Sequence, residues 1–397
     1  MQVTITADEY RECWEYRDVE LKLPTDKFSI ADALERARVP EGNDYELHSF
    51  DDWPEFVKDA LEAVDNKTLE EVNLLAHKVR KMNKDQLHTY EGILKLCQDS
   101  DMDHPMTMKE LINAAYNLKC FEFYPGVTDY QELGEICIQN DILDWIKELP
   151  DEIVEMLDHE KVGVSVCRDD QGTFTREGYV FRSEPDGPEV YDGIHLPDQE
   201  YHHGGIISLQ LDRKDDFLHN DTEVWLELPA DRQKIHQAMD SLETSDLEAC
   251  MVVEMESIVP AMRDHLTGYE DIEMLNTLAE RIAAFPDRRT LTKYKAILML
   301  EDCYYNLEMV LDITNNLDCY DFDPQIMSPG QYTQYRLKEA GFAPYDCAFC
   351  CFDIHDYGER LLQGSGYVAT AYGTVIRNDR EFIHEYTKPP EQGMIMQ

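Results

Sequence analysis

Positive charge is scarce in this chain of 397 residues: 36 Lys and Arg stand against 82 Asp and Glu, a formal net charge of −46 at pH 7. A chain so poor in cations is not expected to bind nucleic acid or an anionic membrane directly. No apolar run approaches the roughly 18 residues a membrane span needs. The opening Met1-Gln-Val-Thr-Ile-Thr6 has neither a basic n-region nor an apolar h-region. The eleven cysteines are scattered, odd in number and without the spacing of a secreted scaffold. Together these features set the expectation of a reduced, cytoplasmic protein. GxxxxGK[ST], GxSxG and HExxH are all missing, which removes the usual nucleotide loop, serine nucleophile and zinc-protease readings.

What is present is enough to fold. Hydrophobic residues make up 43% of the chain, too many for a disordered acidic tail. The acid excess is spread through this folded-looking sequence: 47 acidic against 20 basic residues in 1–200, and 35 against 16 in 201–397. Such self-repulsion costs compactness, and the partner it suits is basic. On a duplex carrying one charge per ~1.7 Å, an equal charge covers roughly 80 Å, or roughly 23 base pairs.

The sequence is also written twice. Val19-Glu-Leu-Lys-Leu-Pro24 returns as Val224-Trp-Leu-Glu-Leu-Pro229. Tyr90, Ile93, Leu94 and Leu96 return as Tyr294, Ile297, Leu298 and Leu300. Asn117-Leu-Lys-Cys120 returns as Asn316-Leu-Asp-Cys319. The matches keep their order, which predicts a tandem duplication of a domain-sized unit rather than a solenoid. A function carried by the repeat should then need no site present in one copy alone.

Within each copy the pattern predicts an α+β fold in three parts. In the first, strands at 3–6, 17–23 and 45–50 enclose a helix at 28–39. In the second, strands at 206–211, 223–228 and 250–255 enclose a helix at 232–242. Amphipathic stripes follow, Leu69, Val72, Leu75, Ala76 and Val79 matching Ile272, Leu275, Leu278, Ala279 and Ile282. Their plain reading is bundle core. Further helices are expected at 87–97, 108–118, 291–300 and 307–315. Each copy closes with a helix, at 149–158 in the first, and a hairpin near 172–180 or 366–376. The expected boundaries are 1–53 α+β, 54–140 helical and 141–182 α+β; a linker at 183–204; then 205–257 α+β, 258–341 helical and 342–397 α+β. The whole is expected to be an elongated tandem array.

Carboxylates are the candidate functional groups. Asp141, Asp144, Glu148, Glu152 and Glu155 fall at i, i+3/i+4 steps, one face of a helix provided Pro150 does not break it. Other groups are Asp8, Glu9, Glu12, Glu15 and Asp18; Asp51, Asp52, Glu55 and Asp59; and Asp318, Asp321 and Asp323. The bland reading of any one group is a solvated face, so the whole-chain excess says more than a single stripe. Asp99, Asp101, Asp103 and Glu110 imitate a calcium loop, but His104-Pro105 replaces the required glycine turn. Thr107 and Glu110 fit a helix capping box better. Cys347, Cys350 and Cys351 offer half a zinc site with no second half. His202 and His203 sit in the linker and read as solvated. Gly364-Ser-Gly366 lacks the βαβ context of a dinucleotide fingerprint and reads as a hairpin turn. No metal, cofactor or catalytic residue is expected.

Asp158-His-Glu-Lys-Val-Gly163, Gly172-Thr-Phe-Thr175 with Gly178-Tyr179, and Asp353 with Asp356-Tyr-Gly-Glu-Arg360 resemble the C-terminal end of ArdA-type antirestriction proteins. The resemblance extends to the order of the three parts, as two fused units. It implies a non-enzymatic DNA mimic. Asp51, Asp52, Glu55, Asp59, Asp141, Asp144, Glu148, Glu152, Glu155, Asp318, Asp321 and Asp323 would stand in for phosphates, in the DNA channel of a type I restriction-modification enzyme. Family members are usually single units that dimerise. Whether two fused units pair within one chain or between chains is therefore open. The alternative expectation is an acidic interaction protein for another basic DNA-binding or defence-system partner; adaptation to high salt would also leave an acidic surface.

Overall fold

The structure is a computed structural model and describes residues 1–8, 18–39, 44–100, 105–185, 187–197, 204–215, 224–342 and 351–388. It is mixed α+β: among the described residues helices dominate, and the strands form four small three-stranded sheets. Residues 1–4, 20–25 and 47–200 form one compact unit, and residues 5–19, 26–46 and 201–397 form another.

The first run of elements is β1 (Gln2–Ala7), β2 (Val19–Lys22), α1 (Lys27–Arg36), β3 (Tyr45–Asp51), α2 (Glu55–Ala63), α3 (Leu69–Lys81), α4 (Lys84–Ser100), α5 (Met108–Tyr116), β4 (Phe121–Pro125), α6 (Tyr130–Gln139), α7 (Asp144–Lys147), α8 (Asp151–Val154), α9 (His159–Asp170), β5 (Thr173–Phe174) and β6 (Gly178–Arg182). The second run is β7 (Ile207–Arg213), β8 (Val224–Leu228), α10 (Arg232–Ser241), β9 (Cys250–Ser257), α11 (Ile272–Ala283), α12 (Arg288–Glu301), α13 (Leu307–Asn315), β10 (Tyr320–Asp323), α14 (Pro329–Glu339), α15 (Ile354–Ser365), β11 (Val368–Thr370) and β12 (Gly373–Arg377).

Sheet order recurs between the runs. Order β2-β1-β3 matches β8-β7-β9, and β4-β6-β5 matches β10-β12-β11. The registers match too: Phe121 faces Arg182, and Tyr320 faces Arg377. In both pairs the guanidinium lies over the ring, at 4.8 and 5.3 Å from its centroid. Tyr90 and Tyr294 are fully buried, and each hydroxyl donates to a carbonyl of the next helix, Leu111 at 2.9 Å and Val310 at 3.0 Å.

Local chemistry sets the helix ends. Thr68 with Glu71, and Thr107 with Glu110, form full capping boxes. The acidic loop before Thr107 therefore ends in a helix cap, while Asp101, Asp103 and His104 lie outside the described residues. Asp26 and Asp231 cap α1 and α10 at matched positions. Helices α6 and α9 approach so closely that a Cβ on Gly163 would lie 1.8 Å from the Tyr130 carbonyl oxygen, and one on Gly134 1.8 Å from that of His159. In α15 a Cβ on Gly358 would meet the Pro329 carbonyl at 1.8 Å. Two glycines of the motifs quoted above are thus packing glycines.

Several expectations need correction. The helix expected at 149–158 is one short turn, α8, because Pro150 restarts the chain and Asp158 already caps α9. Asp141 to Glu155 therefore do not share one helix face: Asp141 is left-handed at φ 48°, and the others belong to α7, α8 or the turns beside them. Gly364 is helical, and Gly366 ends α15 in the left-handed conformation at φ 78°, so this pair is a helix end instead of a hairpin turn. Within the stretch read as linker, Tyr191 is 3% exposed and folds back onto the bundle. The Asn113 Oδ1 accepts from the Val190 and Tyr191 amides, and the Tyr191 hydroxyl donates to Glu71 at 2.8 Å. A matching strap follows β12, where Asp312 accepts from the Glu385, Tyr386 and Thr387 amides and the Thr387 hydroxyl.

Candidate partner-binding surface

The acidic surface is built on ordinary secondary structure. Asp51 ends β3, and Asp52 follows it at φ 59°, a left-handed position that Asp tolerates better than most residues. Glu55 stands in the first turn of α2, where a carboxylate favours the helix dipole, and Asp59 lies one turn further on. Asp141, Glu148, Glu152 and Glu155 lie on the turns and short helices between α6 and α9. All eight are exposed, and among the described residues none makes an ion pair or a side-chain hydrogen bond. The remaining four are committed. Asp144 is exposed but held by Lys147 at 2.9 Å, and that hydrogen bond keeps its carboxyl below the usual range. Asp318 pairs with Arg380 at 3.1 Å, Asp321 accepts from Asn378 at 3.1 Å, and half-buried Asp323 accepts from the Gln325 amide at 2.9 Å. The uncommitted carboxylates thus belong to two stretches, 51–59 and 141–155. Glu9, Glu12 and Glu15 of the first acidic group, and His202, His203, Cys347 and Cys350, fall outside the described residues.

A second charged cluster was not visible in the sequence. In the unit containing residues 26–46 and 201–397, Lys295 is 3% exposed and Asp32 5% exposed. Lys295 Nζ lies 2.7 Å from Asp32 and 3.1 Å from Glu35 of α1. Arg36 and the Tyr372 hydroxyl complete the Asp32 shell at 2.9 and 3.0 Å, and Thr292 donates to Glu35. Burial, with Asp32 alongside, pushes the Tyr372 hydroxyl pKa far up, so it remains a donor. Beside this cluster Arg263 pairs with Asp26 at 3.0 Å. Burial, then Asp26 and Glu254, push the Glu256 carboxyl up to about 7 against the opposing pull of Lys27 and Arg263. Every charge in the Lys295 cluster is paired inside the fold, so it serves α1 docking rather than an outside partner.

Among the described residues no group of three or more His, Cys, Asp or Glu is gathered as a metal-ligand set, and no helix is long and apolar enough to cross a membrane. No family model matches the chain, and no curated protein matches it.

Proposed function

We propose that this chain is a non-enzymatic antirestriction protein, two ArdA-like units in tandem, that competes with DNA for the binding channel of a type I restriction-modification enzyme. One observation carries the reading: a net charge of −46 with exposed, uncommitted carboxylates along 51–59 and 141–155. Intramolecular pairing does not account for those eight groups, and a basic channel would. Binding would release counterions from the enzyme as DNA binding does, by many weak contacts. The motif resemblance points the same way, although Gly163 and Gly358 within it have a packing role.

The test is inhibition of DNA cleavage by a purified type I enzyme. Glu152→Gln alone is expected to leave inhibition within about twofold, since one exposed pair contributes little. Neutralising Asp141, Asp144, Glu148, Glu152 and Glu155 together is expected to weaken inhibition and flatten its salt dependence. Complete loss of inhibition from one exposed carboxylate, with the fold intact, would indicate a discrete site instead. The chain itself is expected not to retard duplex DNA in a gel at physiological salt.

A further inference from the structure

The unit containing residues 201–397 holds a cleft of about 450 Å³ between the turn 266–271, the start of α11 and the start of α13. We propose that this cleft binds the guanidinium side chain of an arginine displayed by a basic protein partner. The floor is polarisable: the thioethers of Met255, Met262 and Met274 line it. Its wall is aromatic. His265 and Tyr304 are stacked at 5.8 Å and 8°, and Tyr305 stands 6.4 Å from His265. Tyr305 is 72% exposed, so a large ring faces water where a flat cation would cover it, and Tyr269, in the turn 266–271, already has Lys214 Nζ 5.5 Å from its ring centre.

The rim decides the sign of the ligand. Glu270 is occupied with Thr267 and Gly268, and Asp271 caps α11 through the Met274 amide. Glu308 is exposed in the first turn of α13 and has no ion pair or side-chain hydrogen bond among the described residues. These three carboxylates exclude an anion. A purely apolar ligand would leave Glu308 unused. A guanidinium suits both parts, stacking on a tyrosine face while its planar fork meets a carboxylate, which an ammonium does less well. The molecule already uses this chemistry internally: the Arg281 guanidinium lies 5.3 Å from the centre of the Tyr386 ring and 2.8 Å from Glu385.

The proposal deepens the reading above, because it gives a basic partner a local anchor. It is tested without that partner, so the competition assay judges the wider reading separately. The full chain is labelled with ¹³C at methionine methyls and titrated with N-acetyl-arginine amide at constant ionic strength, and with the citrulline amide as the uncharged isostere. The lysine amide is a third arm. The expected result is saturable movement of the Met262 and Met274 methyls with the arginine compound, about tenfold weaker with lysine or citrulline. Tyr305→Ala and Glu308→Gln change exposed side chains, and each is expected to weaken binding by about fivefold or more. Absence of saturable shifts, equal response to citrulline, or unchanged binding in both variants would overturn the proposal.

Discussion

Helices α4 and α12 carry the same buried tyrosine and opposite charges beside it. Tyr90 and Tyr294 make equivalent hydrogen bonds. The next residue is Glu91, half-buried 3.8 Å from His88, in one helix, and Lys295, buried against two carboxylates of α1, in the other. At the positions of Asp32 and Glu35, helix α10 has Gln237 and Asp240. A second contrast lies upstream. Helix α2 is nine residues long and buries Val57, Ala60 and Leu61, whereas the matching stretch is a 3₁₀ helix at 260–265 followed by a turn through Gly268 at φ 85°. The cleft borders that shorter stretch. The difference teaches that the two runs share framework contacts, while charge chemistry and loop length have diverged between them.

The comparison is most readily broken at Lys295. Lys295→Glu, which imports the residue of α4, leaves three carboxylates together in a buried site. It is expected to cost about 3–5 kcal/mol or to prevent folding of that unit, measured by urea denaturation. Glu91→Lys is expected to shift stability by no more than about 0.5 kcal/mol. Equal effects of the two exchanges would remove the asymmetry.

The close helix pairs sharpen what is shared. Gly163→Ala and Gly358→Ala each put a methyl against a carbonyl oxygen, and each is expected to cost about 2–3 kcal/mol, with similar values in the two pairs. A cost below about 0.5 kcal/mol at either glycine would show that its helices can separate freely.

The straps come next. Asp312→Asn is expected to cost about 1.5–3 kcal/mol, since a charged acceptor of four hydrogen bonds is lost. Asn113→Ala, which removes neutral bonds, is expected to cost about 1–2 kcal/mol. Burial drives the Asp312 carboxyl up, but the Thr387 hydroxyl and the Thr387, Tyr386 and Glu385 amides together hold it below its usual range. Its folded pKa is therefore depressed. The stability it supplies is fully present above the unfolded value of about 3.9 and is lost as pH falls through the folded value. Proteolysis of the 384–388 strap should rise only below about pH 4.

Glu256 has the opposite sign. Its folded pKa of about 7 lies above its unfolded value, so the carboxylate form is penalised in the fold. Stability should fall as pH rises from about 4.5 to 7. Glu256→Gln should gain ~1–2 kcal/mol at pH 8, partial exposure screening the rest, and nothing at pH 4. Thermal unfolding at the two pH values distinguishes this from a pH-independent packing effect.

Much of this was legible in local patterns. The stripes of α3 and α11, the capping box at Thr107 and the strands near Val19 and Val224 follow from periodicity and capping chemistry. Helices α6 and α9 were missed because their glycines, Gly134 and Gly163, weaken helix propensity and are explained only by the partner helix. The break at Pro150 was readable as a risk, and the structure makes it the boundary. Lys295 on an amphipathic helix reads as a solvent residue. Its burial depends on α1, some 260 positions away, which no local pattern encodes. The first strap was hidden by the Pro, Gly and Asp content around Tyr191, which suits a packed irregular segment as well as a linker. The carboxylates were readable as a set, but which of them are committed depended on neighbours such as Arg380 and Asn378.

The central claim is competition for a DNA channel, and the direct measurement is displacement of a fluorescent duplex from a purified type I restriction-modification enzyme by the full chain at two salt concentrations. The expected result is full, competitive displacement that weakens steeply between about 50 and 200 mM salt, with no anisotropy change when duplex and chain are mixed without enzyme. Binding to the enzyme that leaves the duplex in place, or displacement by direct capture of the duplex, would contradict it.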